Sequence, residues 1–285
     1  MEILQLQYFC DSAECENFSK TAQKYNVPTS SVSQSIRRLE RELNITLFDR
    51  TANKIKLNEK GRFFYENVKN GLDFIKYAKD GVLDCSECSG EIKILIATNR
   101  RIVTKVIEKF KNKYSDVTFL INHEDTKENN YDIIVSDNVS AYSRLEHQLL
   151  IKDEIVLAVS KESDILKKDF DVKDLQNEKF IVMNDNASLN TITGNLFNKY
   201  EINPQIAIKC DDPHYIREYV EMGLGVSFIP KIAWHGLFSE KVKYIKLENC
   251  VRNSYVFYGK YLTKIKKLFL NDLISGFKEE INNIK

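Results

Sequence analysis

Residues 18–57 read FSKTAQKYNVPTSSVSQSIRRLERELNITLFDRTANKIKL. The stretch holds two helical patterns joined by a tight turn, and then a small extended hairpin. In the second helix, Thr29 to Leu43, the apolar residues Val32, Ile36, Leu39 and Leu43 are spaced by four, three and four. That spacing makes one stripe of an amphipathic helix. Ser30, Gln34, Arg37 and Arg41 fall on the opposite side, flanked by Ser33 and Arg38. Hydroxyl, amide and guanidinium groups are the types that hydrogen-bond base edges and phosphates. Thr29 is the expected cap, its hydroxyl accepting from the free N–H groups of the first turn.

A polar face is common on surface helices, so the setting decides. Ser19, Thr21 and Ala22 suit a small, close-packed first helix, and Asn26-Val27-Pro28 breaks the chain between the two. Asn44 is a left-handed stop. Ile45 to Leu57 forms the hairpin, with Thr51-Ala52-Asn53-Lys54 at its tip and Arg50 and Lys54 as expected phosphate contacts. Reading duplex DNA takes this plan: one helix across the duplex, one in the major groove, a wing on the backbone.

Outward from this stretch, Glu2 to Glu14 reads as a helix with Leu4, Leu6, Tyr8 and Phe9 available to the core, and Asn17 or Ser19 caps the next. Asn58 and Glu59 open a long helix reaching about Val82. Phe64, Val68, Leu72, Ile75, Ala78 and Val82 recur along it at threes and fours. This is the pattern of a seam between paired helices, or of a face packed on the chain's own domain. DCSECSG, residues 84–90, reads as a hinge.

The 285 residues are 43% hydrophobic and 29% charged, which suits two or three globular units. Net charge is only +1, so any basic signal is local. Between Thr29 and Arg62 eight cations face four acids, an excess of 8 − 4 = +4, which fits neutralisation of a phosphate backbone by one module. No secretion signal or membrane-length apolar run is visible, so a cytoplasmic protein without membrane contact is expected. Of the six cysteines, Cys85 and Cys88 make a lone CxxC, and no second pair follows at metal spacing. Inert thiols are expected, with no metal and no cofactor.

From Gly90 strands and helices alternate, the mark of α/β layers. Strands are expected at Ile92–Thr98, Val117–Ile121, Ile133–Val135, Ile155–Ser160, Phe180–Met183, Ile206–Cys210, Val226–Ile229, Val242–Leu247 and Ser254–Tyr258. Helices are expected at Arg101–Tyr114, Leu189–Tyr200, His214–Met222 and Thr263–Ile281.

The first sixty residues resemble the winged helix-turn-helix of LysR-type transcriptional regulators. Phe18, Ala22, Val27, Val32, Ser33, Ile36, Leu39-Glu40, Leu43, Leu47-Phe48, Arg50, Leu57 and Gly61 carry the likeness. Pro28-Thr29-Ser30 stands where the family usually has Ser-Gln-Pro, and Gln34 where many members carry Arg, so operator preference does not transfer. GEIKILIAT, DIIVSD and VEMGLGVSFIP resemble, more loosely, the family's two-lobed regulatory domain. The resemblance implies an α/β chain in three parts. Residues 1–58 are a winged helix-turn-helix DNA-binding domain, and 59–88 a linker helix for dimerisation plus a hinge. Residues 90–285 are an effector-binding domain built like a periplasmic binding protein, lobe one being 90–159 and 239–285 and lobe two 160–238. It also implies a homo-oligomer, dimer or tetramer, paired through Phe64, Val68, Leu72 and Ile75. The segment Asn122 to Tyr131 is shorter than usual in the family, which reduces a wall of the effector pocket.

Ligands of open α/β sheets bind beyond the carboxyl ends of strands. That rule selects Thr98, Asn99 and Arg100, then Asn122 with His123, Ser136 with Asp137, Asn184, and Asp211 with Asp212. Thr98 and Asn99 lead into a helix N-terminus, which favours an anion, and Arg100 offers a carboxylate a fork. The nearby acids point instead to an amino acid or amine. His123, His147, His214 and His235 share no spacing, and no nucleophile elbow or phosphate loop appears, so an enzyme is not expected. The function implied is regulation of transcription on double-stranded operator DNA under a small-molecule effector, with RNA polymerase as a further partner. A thiol-sensing regulator and a solute-binding receptor are the alternatives.

Overall fold

The computed structural model describes residues 1–51, 54–83, 89–125, 130–167, 170–185 and 187–284, with the side chains at 77, 80, 81 and 83 left aside. The hairpin tip at Ala52-Asn53 and the Cys85–Cys88 pair lie outside these residues, as does part of the short Asn122–Tyr131 segment. The chain forms two compact units, residues 1–86 and 87–285.

The N-terminal unit runs α1 (Ile3–Cys15), α2 (Phe18–Lys24), α3 (Thr29–Leu43), β1 (Phe48–Thr51), β2 (Lys54–Leu57) and α4 (Glu59–Leu83). Asn17 caps α2: its side-chain oxygen accepts from the N–H groups of Ser19 and Lys20 at 2.9 and 3.1 Å. Asn17→Ala is expected to cost about 1 kcal/mol, read as an earlier midpoint when the helical signal is followed in denaturant. Asn26 and Asn44 both take left-handed backbone, at φ 52° and 53°. A short polar side chain tolerates that region best after glycine, and so the chain turns into α3 and out of it.

Two expectations fail here. Thr29 is not the cap of α3. Pro28 holds that position in extended backbone, and its carbonyl accepts from the Ser31 N–H at 2.9 Å, which draws Thr29 into the first turn. Leu4 is not in the core either. The inward side of α1 carries Gln5, Tyr8, Phe9, Ser12 and Ala13, a three-and-four spacing that leaves Leu4 48% exposed. Gln5 donates instead to the Ser35 carbonyl on α3, at 3.1 Å.

Phe9, Val32, Ile36, Leu39, Leu47 and Phe48 are fully or nearly fully buried and form the centre of this unit. Phe64, Val68 and Leu72 of α4 pack against that same core, and the Phe64 ring lies 5.2 Å from that of Phe9. These three are half-buried and lean on their own domain, the second of the two packings that the stripe allowed. Other apolar residues of α4 are exposed: Phe63, Phe74 and Val82 are 72%, 51% and 74% exposed, with Ile75 beside them.

The C-terminal unit runs β3 (Gly90–Ile96), α5 (Arg100–Lys113), β4 (Val117–Asn122), β5 (Ile133–Ser136), β6 (Glu146–Ser160), β7 (Lys179–Met183), α6 (Ser188–Lys199), β8 (Gln205–Cys210), α7 (Pro213–Glu221), β9 (Ser227–Pro230), β10 (Val242–Tyr258) and α8 (Lys264–Ile284). One sheet has the order β4-β3-β5-β10-β6-β9; a second pairs β7 with β8 and meets the start of β9 through a Phe180–Val226 bridge.

The long antiparallel strands β6 and β10 serve two cores. Ile92, Ile94, Val103, Phe110, Val135, Ile151, Val256 and Phe269 belong to the first. Ile155, Leu157, Val159, Phe180, Phe228, Val242 and Cys250 belong to the second. The lobes therefore exchange inside the strands, near Asp153 and its register partner Arg252. The expected boundaries at Val159 and Ser239 fall too late on one strand and too early on the other. β10 is also one strand where two were expected. A register shift between Lys246 and Val251 absorbs the left-handed Asn249, at φ 53°, without ending the ladder.

Candidate nucleic-acid interface and effector site

The apolar stripe of α3 fixes what its other side presents. Val32, Ile36 and Leu39 are buried, while Thr29, Ser30, Gln34, Arg37, Arg38 and Arg41 are exposed and Ser33 is half-buried. Gln34, Arg37, Arg38 and Arg41 line one side of a groove of about 1160 Å³ between α3 and α1. Arg38 approaches Glu2 only to 4.0 Å, with both side chains largely in solvent. An exposed pair of this kind is worth little, so the guanidinium is available. Among the described residues the side chains of Gln34 and Arg37 have no protein partner.

The wing is held differently from the sequence expectation. Glu40 is 9% exposed. One carboxylate oxygen accepts from the N–H groups of Leu47 and Phe48, at 2.9 and 3.3 Å. The other takes an Arg50 nitrogen at 2.6 Å. Arg50 also lies over the Phe18 ring. Its first task is thus to tie β1 to α3, and only its remaining N–H groups face outward for a phosphate. Lys54 is exposed beside the hairpin tip. Glu40 was legible as one acid among four and as part of the family likeness; its burial and partners come from tertiary structure.

In the C-terminal unit, Thr98 and Asn99 are each 5% exposed, and Ser136 3%. The Thr98 N–H donates to the Val135 carbonyl, which sets the ends of β3 and β5 side by side. Asn99 stands at the N-cap of α5 in left-handed backbone, φ 57°. Arg100 begins α5 and is exposed. Asn122 is drawn aside by the Tyr131 hydroxyl, to which it donates at 3.1 Å. Asn184 and Asp211 are exposed at the ends of β7 and β8, and the Asn184 N–H donates to the Cys210 carbonyl. Of the predicted residues, Thr98, Asn99 and Ser136 are buried on lobe one, Arg100 is exposed there, and Asn184 and Asp211 are exposed on lobe two.

The sequence reading missed three polar residues at the strand crossing. Arg252, 5% exposed, donates to the Asn99 side-chain oxygen at 3.4 Å. Ser254 is fully buried beside it in the strand, two residues on. Asp153 is buried too, and accepts from the N–H groups of Ile232 and Ala233 at 2.7 and 2.8 Å. Burial raises the Asp153 pKa, against those two N–H bonds and Arg252. Burial likewise lowers that of Arg252, with Asp137 and Asp153 opposing. Arg101 adds a further tie, donating to the carbonyls of Ala233 and Ile232. One signal in the sequence pointed here: in β10 the buried parity reads Cys250, Arg252, Ser254, Val256, and a lone arginine on a buried parity calls for a partner.

Among the described residues no group of His, Cys, Asp and Glu is placed to hold a metal ion, and no helix is long and apolar enough to cross a membrane.

Comparison with known proteins converges on one family. Residues 3–62 match the model of the bacterial regulatory helix-turn-helix protein, lysR family. Residues 87–260 match the LysR substrate binding domain. The transcriptional dual regulator GltC of Bacillus subtilis is 28% identical over 243 residues, 81% of either chain. An uncharacterised regulator of the same organism, YybE, is 24% identical over 98% of this chain and all of its own length. Among solved structures, full-length BenM superposes with a TM-score of 0.56 at 18% identity, covering 99% of this chain and 97% of that one. CbnR gives 0.52 at 16%, covering 97% and 99%. Those two show the fold alone. With both family models matched in order, the chain belongs to the LysR family of transcriptional regulators, pairing a DNA-binding helix-turn-helix with an effector-binding α/β domain.

Proposed function

We propose that this regulator grips a two-half-site operator as a homo-oligomer, and that a small molecule at the junction of the two lobes changes that grip. The carrying observation is the outer face of α3, where Gln34 and Arg37 stand without protein partners opposite a fully buried stripe. Gln34 has the paired donor and acceptor that match adenine in the major groove, and Arg37 matches guanine or a phosphate. Thr29, Ser30, Ser33 and Arg38 complete the face; Lys54 and the free side of Arg50 contact the backbone. Pairing is assigned to the exposed apolar residues of α4, with Ile75 retained from the expected seam. Effector recognition is assigned to Thr98, Asn99, Arg100 and Ser136 on lobe one, and to Asn184 and Asp211 on lobe two, with Asn122 at the margin. The chain acts in the cytoplasm, beside RNA polymerase and without catalysis of its own.

Gln34→Ala is expected to relax preference at one base position by about 1–3 kcal/mol. Arg37→Ala should weaken all sequences alike and flatten the salt dependence if it meets a phosphate. Binding measured over a salt series with a randomised operator distinguishes the two roles. Unchanged binding by both folded variants would remove α3 from the groove. Thiol sensing gains nothing from Cys10 or Cys210. Burial pushes Cys10 up to about 12 and also raises Cys210, both away from the reactive thiolate.

A further inference from the structure

The lobe junction buries polar atoms for which the protein supplies no partner. Thr98 Oγ1, Asn99 Nδ2, Arg252 Nε, Ser254 Oγ and Asp137 Oδ2 are all shielded from solvent and make no hydrogen bond. Native interiors pair nearly all such atoms, with protein, water or ligand. Arg252 is the extreme case. It is 5% exposed, its one bond is the 3.4 Å contact to Asn99, and no carboxylate among the described residues lies within ion-pair distance. A buried guanidinium is costly unless it is paired.

The unpartnered atoms sort by chemistry. Arg252 Nε and Asn99 Nδ2 only donate, and the Thr98 and Ser254 hydroxyls can donate. Thr98 and Asn99 stand at the start of α5, whose first N–H groups have no intrahelical acceptor, and Arg252 reaches Asn99. Together they ask for a carboxylate. Asp137 Oδ2 only accepts, and it asks for a charged donor. β3, β5 and β10 are immediate neighbours in the sheet, at about 4.8 Å from strand to strand. The two demands thus lie one or two strand spacings apart, which a carboxylate and an ammonium on the same carbon can span. Asp153 is already held by one N–H group on each oxygen, from Ile232 and Ala233. A plain anion would leave Asp137 unpaired beside it, and a plain amine would leave Arg252 unpaired.

We propose that the effector is a free α-amino acid, its carboxylate held by Arg252, Thr98 and Asn99 and its ammonium by Asp137. This rests on the reading of the lobe junction as the effector site. It also shifts the anchoring cation from the exposed Arg100 to the buried Arg252.

The test uses the full chain. Thermal shift and calorimetry are run with the standard L-amino acids, and with the 2-oxo acid and the primary amine matching each. One or more amino acids should raise the melting temperature, with the matched 2-oxo acid and amine at least 100-fold weaker. Arg252→Gln should weaken binding by 100-fold or more. Thr98→Val guards against a variant that merely fails to fold, because it removes one hydroxyl and keeps the shape. It should leave the free protein as stable or more so, since an unpaired buried hydroxyl is gone, and still weaken the amino acid tenfold. A Thr98→Val protein that melts several degrees lower would show a structural water or bond at that hydroxyl and overturn the proposal. Equal binding of the 2-oxo acid, or no response to any amino acid, would overturn the ligand class. A different metabolite that alters operator binding equally in wild type and Arg252→Gln would overturn this proposal while leaving the effector domain's role intact.

Discussion

Glu40→Ala is expected to destabilise the N-terminal unit by about 3 kcal/mol and to abolish operator binding. The carboxylate is nearly buried and makes three bonds, to the N–H groups of Leu47 and Phe48 and to Arg50. Alanine leaves two buried donors unpaired, and each such orphan costs about 1–3 kcal/mol. Arg50 is 30% exposed on its side chain, so water recovers part of its loss. The wing would then lose its attachment to α3, and the two elements that address DNA would no longer hold one geometry. Trp234, the single tryptophan, is buried in the second lobe. Its fluorescence therefore follows the C-terminal unit alone, while the helical circular-dichroism signal follows both. The expected result is an early helical transition with the tryptophan transition unmoved. Glu40→Gln should fall between, keeping an acceptor for the N–H groups and losing the ion pair. Superimposable helical transitions for wild type and Glu40→Ala would make the carboxylate dispensable.

Phe74→Glu is expected to convert the assembly to smaller species and to lower apparent affinity for a two-half-site operator by about 10² to 10⁴-fold. Phe63, Phe74, Ala78 and Val82 lie on one side of α4, and Phe74 is 51% exposed. Around Gly71, between them, an added Cβ would meet nothing within 4 Å. A large apolar stripe left in water is uncommon unless something covers it, and a charge placed there would be buried without a partner. The same change at Leu72 would be ambiguous, because Leu72 also supports the core of its own unit. Phe74 is not among the residues packed on that core, so a folded Phe74→Glu chain bears on pairing more directly than one changed at Leu72. Light scattering that finds the wild-type mass unchanged would place the interface elsewhere.

The limits of the sequence reading have physical causes. α3 was legible to the residue at Thr29 and Leu43, because stripe, breaks and stops are all local. The polar face followed from the stripe by geometry. The stripe on α4 was visible but its partner was not, since a period near 3.6 looks the same against a foreign helix and against one's own core. The first half of β6, residues 146–154, was missed because Glu146, His147, Gln148, Lys152 and Asp153 hide any alternation. Thr98 and Asn99 were selected by the rule for strand ends. Arg252 was not, because Asn99, which it meets, lies 153 residues away.

The run of β6 and β10 through both cores has a consequence for the growing chain. The second core draws only on residues between Ile155 and Cys250, one unbroken stretch, whereas the first needs residues from Ile92 to Phe277. On the ribosome, therefore, the inserted lobe can close while the lobe that surrounds it still lacks its central strand and the helix behind it. β10 lies between β5 and β6 in the finished sheet, so β3, β4 and β5 must wait with an open edge until β10 emerges from the exit tunnel. Nascent chains arrested with Cys250 just clear of the exit tunnel should accordingly resist protease across residues 155–250 and be cut within 90–150. The same asymmetry makes a late stop codon more damaging than its position suggests, since it would remove the middle of a sheet that began 160 residues earlier, with β3 at Gly90.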